Sequence, residues 1–255
     1  MFIPYKTRDG QPRHTQFMTR QELLLSGTAG LIAGALAAPA IASPLSGIVA
    51  PKRGPINIAF VAGEGANVMD IAGAWEVFQD VNVPERGPNP DDQMPFRSAI
   101  VSDTKNPFHA TNGLMMTPLF SFDDAPQPNI IVMGAQGQHT PRKIAWIREA
   151  AKKADVVMSV CTGAFLLAQT GLLDGLKSTT HHDYYDMFEK KFPKVQLVRG
   201  PRYVENDGGR ICSAGGITSG IELALRVVTR YFGEPAAKQT AYYMEYQRSP
   251  ERPTA

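Results

Sequence analysis

Between residues 56 and 246 short apolar runs alternate with amphipathic stretches and turn-rich breaks, the grammar of strand, turn, helix and strand that builds a parallel sheet. Ile56–Val61 is a short apolar run, followed by a loop over 63–67 and a helix over 68–81, where Ile71, Ala74, Trp75 and Phe78 share one face. Residues 84–95 are dense in Pro, Asn and Asp and read as an irregular surface loop. Residues 96–101 form a second strand, 115–120 a short hairpin-like piece, and 129–133 a buried strand that ends in the turn Gly134-Ala135-Gln136-Gly137. Pro141 opens a helix over 141–151 with Ile144, Ile147 and Ala151 on one stripe. Val156–Val160 is β-branched and uncharged, as a strand covered on both faces should be. A short helix over 183–191 and strands over 196–198, 203–205 and 210–213 follow, the last two joined by the hairpin turn Asp207-Gly208-Gly209. Ile217, Ile221, Leu225 and Val228 recur at helical spacing, and a last helix runs from 235 to about 246.

Composition adds an extension to this domain. The chain has 255 residues, room for one α/β domain of roughly 200 residues and a further segment. Residues 1–22 are polar and carry Lys6, Arg8, Arg13 and Arg20; residues 23–42 are uncharged, rich in Ala, Gly and Leu, and end at Ala40-Ile41-Ala42, an A-x-A-like cleavage site. Thr19-Arg20-Gln21-Glu22-Leu23-Leu24-Leu25 resembles a twin-arginine export signal, with Gln21 where the second arginine would stand. Residues 1–43 are therefore expected to be an export signal of the Tat or Sec type, placing the protein in the periplasm, or a membrane anchor. Residues 44–55 read as a linker and 247–255 as a tail. The formal net charge is +2, with no basic stripe or interleaved aromatics, so nucleic acid is not an expected partner; any membrane contact would come through the N-terminal segment alone. The two cysteines, Cys161 and Cys212, are expected to be thiols, Cys212 packed within its strand. No Cys or Cys/His spacing suggests a metal, and no cofactor is expected.

The candidate chemistry centres on Val156-Val157-Met158-Ser159-Val160-Cys161-Thr162-Gly163-Ala164, the layout of a nucleophile elbow. A buried core cysteine is the plainer reading of Cys161, but the Thr-Gly step after a buried strand points to a strained turn. There Cys161 would sit at a helix N-terminus, where the dipole and unpaired N–H groups favour thiolate. Backbone N–H groups of Gly134 and Ala135, with that of Thr162, could form an oxyanion hole on the same rim of the sheet. Asp70 stands near the start of the first helix, either as a favourable helix-end charge or as a site carboxylate. His181 could serve Cys161 as a general base, or be a polar residue at a loop–helix junction.

Asp70-Ile71-Ala72-Gly73-Ala74-Trp75-Glu76-Val77-Phe78, Ser159-Val160-Cys161-Thr162-Gly163-Ala164, Gly171-Leu172-Leu173-Asp174-Gly175, Thr179-Thr180-His181-His182 and Ser213-Ala214-Gly215-Gly216-Ile217-Thr218-Ser219-Gly220-Ile221-Glu222 together resemble the ThiJ/PfpI superfamily. Within it they are most similar to the isocyanide (isonitrile) hydratases and to the amidotransferase-like sensor half of AraC-type regulators. The resemblance implies a flavodoxin-like three-layer α/β sandwich with a mostly parallel central sheet, usually a homodimer acting on a small molecule. By position it implies Cys161 as nucleophile, Asp70 as its neighbouring carboxylate and Thr162 as the residue that follows the nucleophile in the hydratases. The implied reaction converts an isocyanide and water to an N-substituted formamide; a glyoxalase- or deglycase-like activity and a non-catalytic ligand or redox sensor are the other readings within the superfamily. Ala74, Ala135 and His182 depart from the usual Pro, Gly and Trp of these motifs. A late His-x-Glu pair, needed by a glutamine amidotransferase, is missing, and Thr162 stands where a PfpI-type peptidase has His.

Overall fold

The computed structural model describes residues 48–52 and 54–246. The expected export or anchor segment, part of the linker and the tail lie outside the described residues. Among the described residues no helix is long and apolar enough to cross a membrane.

The strands in chain order are β1 (Ile56–Val61), β2 (Phe96–Ser102), β3 (Phe108–His109), β4 (Met115–Met116), β5 (Phe120–Ser121), β6 (Ile130–Met133), β7 (Val156–Val160), β8 (Lys177–Ser178), β9 (Gln196–Leu197), β10 (Tyr203–Asn206) and β11 (Ile211–Ala214). The α-helices are α1 (Val68–Gln79), α2 (Pro90–Gln93), α3 (Pro141–Ala150), α4 (Gly163–Gln169), α5 (Tyr185–Lys191) and α6 (Ser219–Tyr243). Seven strands form the central sheet in the order β10-β11-β7-β6-β1-β2-β5, parallel throughout except for the β10–β11 hairpin. A flavodoxin-like three-layer α/β sandwich is thus the architecture.

Alternation along the central strands divides the core in two. Ile58, Phe60, Val132 and Met158 pack with Ala74, Phe78, Leu223 and Val227 of α1 and α6, while Ala59, Val61, Ile131 and Val157 pack with Ile147, Leu166, Leu167 and Phe188 of α3, α4 and α5. Both faces being covered, β6 and β7 are buried at every position, which is why their sequences are uncharged and, apart from Ser159, apolar.

The departures from the expected elements have local causes. Residues 115–120 are not one hairpin: Met115–Met116 pairs antiparallel with Phe108–His109, and Phe120–Ser121 extends the edge of the main sheet beside β2. Gln196–Leu197 pairs with Lys177–Ser178 in a separate two-stranded sheet. The irregular stretch 84–95 contains a 3-10 turn at Pro84–Arg86 and the short α2, each opened by proline. The two expected C-terminal helices abut within α6, where Gly233 (φ 84°, ψ 167°) breaks the helical path and Pro235 restarts it.

Candidate active site

The site lies at the carboxyl ends of β6 and β7, where ligands bind in open α/β sheets. Buried β7 delivers Cys161 to a left-handed backbone conformation, φ 59°, which an L-residue holds only when its surroundings determine it. Those surroundings are explicit. The Cys161 N–H donates to the Gly215 carbonyl at 2.8 Å, and its own carbonyl accepts from Thr180 Oγ1 at 2.9 Å. A Cβ at Gly163 would stand 2.1 Å from the Met133 carbonyl oxygen, so the residue opening α4 has to be glycine. The elbow read from Cys161-Thr162-Gly163 is therefore present.

Asp70 is brought to the same place by α1. Asn67 caps that helix, its Oδ1 accepting from the N–H groups of Met69 (3.0 Å) and Asp70 (3.3 Å). The Asp70 side chain is fully buried and faces the Cys161 thiol. Its Oδ2 accepts the Ala135 N–H at 2.8 Å, whereas buried Oδ1 has no hydrogen bond of sound geometry within the protein. Gly134 serves this packing, because a Cβ there would come within 2.7 Å of Asp70 Cβ. The oxyanion hole expected from Gly134 and Ala135 is corrected by this geometry: the Ala135 N–H is spent on the carboxylate, and Gly134 makes room for it.

Electrostatics act on the thiolate expectation from both sides. Burial raises the Asp70 carboxyl from 3.8 to about 7, against the opposing hydrogen bonds from Ala135 and the thiol. Burial, followed by the Asp70 charge, pushes the Cys161 thiol from 9.0 up to about 11. The N–H groups of Thr162 and Ile217 hydrogen-bond the sulfur and pull the other way. The helix-end groups that favour a thiolate are therefore opposed by burial and by the Asp70 charge.

Ile217 is the participant that the sequence reading missed. It is β-branched, yet it sits at φ 52°, and its N–H reaches the Cys161 sulfur. The Gly215-Gly216 step before it is the available signal, since paired glycines announce an unusual backbone path.

His181 borders the site without joining Cys161. Its Nδ1 accepts the Asp183 N–H at 3.3 Å, capping the 3-10 turn His182–Tyr184, and its ring lies where a Cβ on Gly216 would approach within 2.4 Å of Cδ2. Its Nδ1 hydrogen bond is with the backbone of Asp183 rather than with the sulfur, which fits the loop–helix junction role. His181, His182 and Asp183 are the one group of three metal-type donors found close together among the described residues. The two imidazoles are stacked with centroids 4.4 Å apart, and His181 Nδ1 is already engaged by the capping contact. Cys212 is a core thiol in β11, fully buried, donating to the Gly209 carbonyl at 2.8 Å. Beside the elbow opens a cavity of about 200 Å³ lined by residues that include Gln136, Gly137, Thr162, Phe165, Tyr184 and Lys191.

A cysteine on a strained elbow, faced by a buried carboxylate at the rim of a mostly parallel sheet, defines an α/β protein with a cysteine elbow. More particularly, the chain belongs to the DJ-1/PfpI family, whose profile matches residues 56–230. It is 28% identical over 200 residues to the isonitrile hydratase of Pseudomonas putida, across 76% of this chain and 80% of that protein. It is 27% identical over 150 residues to the HTH-type transcriptional regulator CdhR of Pseudomonas aeruginosa, across 57% of this chain and 44% of the regulator. The chain thus spans about half the length of that regulator or less. Among solved structures, a THiJ/PfpI family protein from Pseudomonas syringae superposes with a TM-score of 0.66 at 22% identity, covering 84% of each chain. An AraC family transcriptional regulator from Pseudomonas putida superposes with a TM-score of 0.59 at 17% identity, over 74% of this chain and all of that one (100%).

Proposed function

We propose that this protein is a cysteine-dependent, cofactor-free hydratase that converts a small isocyanide to an N-substituted formamide. The observation that carries the reading is the buried Asp70–Cys161 pair, a nucleophile still holding its proton beside a carboxylate whose pKa of about 7 suits both taking and returning it. The 28% identity to an isonitrile hydratase supports it.

In the proposed reaction the sulfur attacks the terminal isocyanide carbon and forms the S–C bond. The thiol proton passes through Asp70 to that carbon, giving a thioimidate. Water adds to the thioimidate carbon, and its protons are redistributed to the substrate nitrogen and, through Asp70, to the departing sulfur. The S–C bond breaks and the formamide leaves with Cys161 again a thiol. The N–H groups of Thr162 and Ile217 hold the sulfur during attack and stabilise it as it departs. Asp70 orients the attacking water as well as carrying the proton.

Incubation of the purified protein with a small alkyl isocyanide, following loss of the isocyanide stretch and appearance of the formamide, tests the reading. Turnover that vanishes in Cys161→Ala is the expected result. Absence of turnover in a folded protein with an alkylatable Cys161 would overturn it and favour a sensor role, as in the regulator relatives.

A further inference from the structure

The cavity beside the elbow is lined by chain neighbours of the reaction centre, although Cys161 and Asp70 themselves are not among its lining residues. Thr162 contributes the residue after the nucleophile, and Gln136-Gly137 continue the turn whose Ala135 N–H holds Asp70. Its remaining wall combines apolar Phe165, Tyr184 and Met187 with polar His139, Gln169 and Lys191. No carboxylate lines it. Lys191 ends α5, and its ammonium is held over the rings of Phe165 at 6.0 Å and Phe192 at 5.8 Å. Among the described residues it forms no ion pair, whereas its neighbour on the same rim, Arg199, is bound by both Asp186 (2.8 Å) and Glu189 (2.9 Å).

A second cation stands behind the wall. Lys143 is almost wholly buried; its Nζ donates to Gln136 Oε1 at 2.8 Å and to the Gln138 carbonyl at 2.9 Å, while Asp103 is 3.9 Å away. Gln136 is thereby fixed, its Nε2 donating to the Val61 carbonyl at 2.8 Å. His139 is held below its usual pKa mainly by burial, with the positive charges of Lys143 and Lys191 acting in the same direction against its hydrogen bond to Gln169. Both ammonium groups therefore act on His139 in the same direction, the Lys143 charge being partly offset by Asp103.

We propose that this cavity is the substituent subsite of the reaction centre and that it selects small substrates bearing an anionic group, a carboxylate above all, with Lys191 as the specificity-determining cation. The identity of the reacting group rests on the hydratase reading, but the charge preference does not. An apolar stem lies against Phe165 and Met187, and its carboxylate meets the Lys191 ammonium at the open end. At the separations such a cavity allows, with partial solvent screening, one unit charge changes the encounter of a monoanion with Cys161 by about five-fold.

The test compares alkylation of Cys161 by iodoacetate and by iodoacetamide, reagents of similar size that differ in charge. In each case the S–C bond forms, the C–I bond breaks, iodide leaves and the thiol proton passes to Asp70 or buffer. Rates are read by intact mass in the unaltered protein and in Lys191→Gln, Lys191→Glu and Lys191→Arg, with Cys161→Ala reporting any reaction elsewhere. The expected result is a loss of about five-fold in the iodoacetate rate for Lys191→Gln, a larger loss for Lys191→Glu, and retention in Lys191→Arg. The iodoacetamide rate stays within about two-fold, and the difference shrinks as salt is raised. Equal changes for both reagents, or none for either, would overturn the proposal. Because neither reagent is an isocyanide, a failed hydratase assay and a failed charge preference are read separately.

Discussion

Asp70→Asn isolates the energetic cost of placing a carboxylate beside the nucleophile. The Asp70 pKa of about 7 lies some three units above the 3.8 of the solvent-exposed carboxyl in the unfolded chain. The folded protein therefore holds a proton, between those two values, that the unfolded chain has released. The sign follows from linkage: the associated stability is fully present below about pH 4 and is lost as pH rises through 7. At ~1.4 kcal/mol per unit the whole effect is about 4 kcal/mol, of which roughly 3 kcal/mol falls between pH ~5 and pH ~8.5. Asparagine keeps an acceptor for the Ala135 N–H and removes the titration. Urea denaturation of both proteins at the two pH values is the assay. The variant should gain about 3 kcal/mol relative to the parent on going from the lower pH to the higher, with activity lost. Parallel pH profiles for the two proteins would refute the argument that burial dominates the Asp70 environment.

Gly134→Ala should fold but displace Asp70, since the new Cβ would lie 2.7 Å from Asp70 Cβ; turnover is expected to fall about 100-fold, with thermal denaturation checking that the fold survives. Phe188→Ala empties a fully buried site between Phe165 and Phe192, and should cost about 3–5 kcal/mol in urea denaturation while leaving the elbow in place. Cys212→Ala should lose about 1–2 kcal/mol from its small cavity and its bond to Gly209, and keep the parent's Cys161 alkylation rate.

The central strands and the elbow were legible in the sequence because burial on both faces leaves Val156–Val160 uncharged and apolar apart from Ser159, and because a glycine has to follow where Gly163 meets the Met133 carbonyl. Cys161 and Asp70 could be selected together only through the resemblance, as they come from separate elements and nothing in their local sequence says that they meet. Edge elements were less readable. Met115–Met116 and Phe120–Ser121 are two-residue strands whose pairing is decided by distant partners, so periodicity is too short to assign them. The roles of backbone N–H groups were the least visible. Ala135 donates to Asp70 and Ile217 to the sulfur because of the path of the chain, which side-chain identity does not encode. The electrostatics of Cys161 were legible only in part: a helix end is visible in a sequence, whereas the burial that opposes it depends on the whole fold.

The most direct test of the central claim is intact-mass spectrometry of the protein quenched during turnover of a small alkyl isocyanide. The account predicts an adduct equal in mass to the isocyanide, located on Cys161 by peptide mapping, that disappears when substrate is exhausted. Consumption of the isocyanide without any adduct on Cys161, or in a Cys161→Ala protein at the parent's rate, would contradict it.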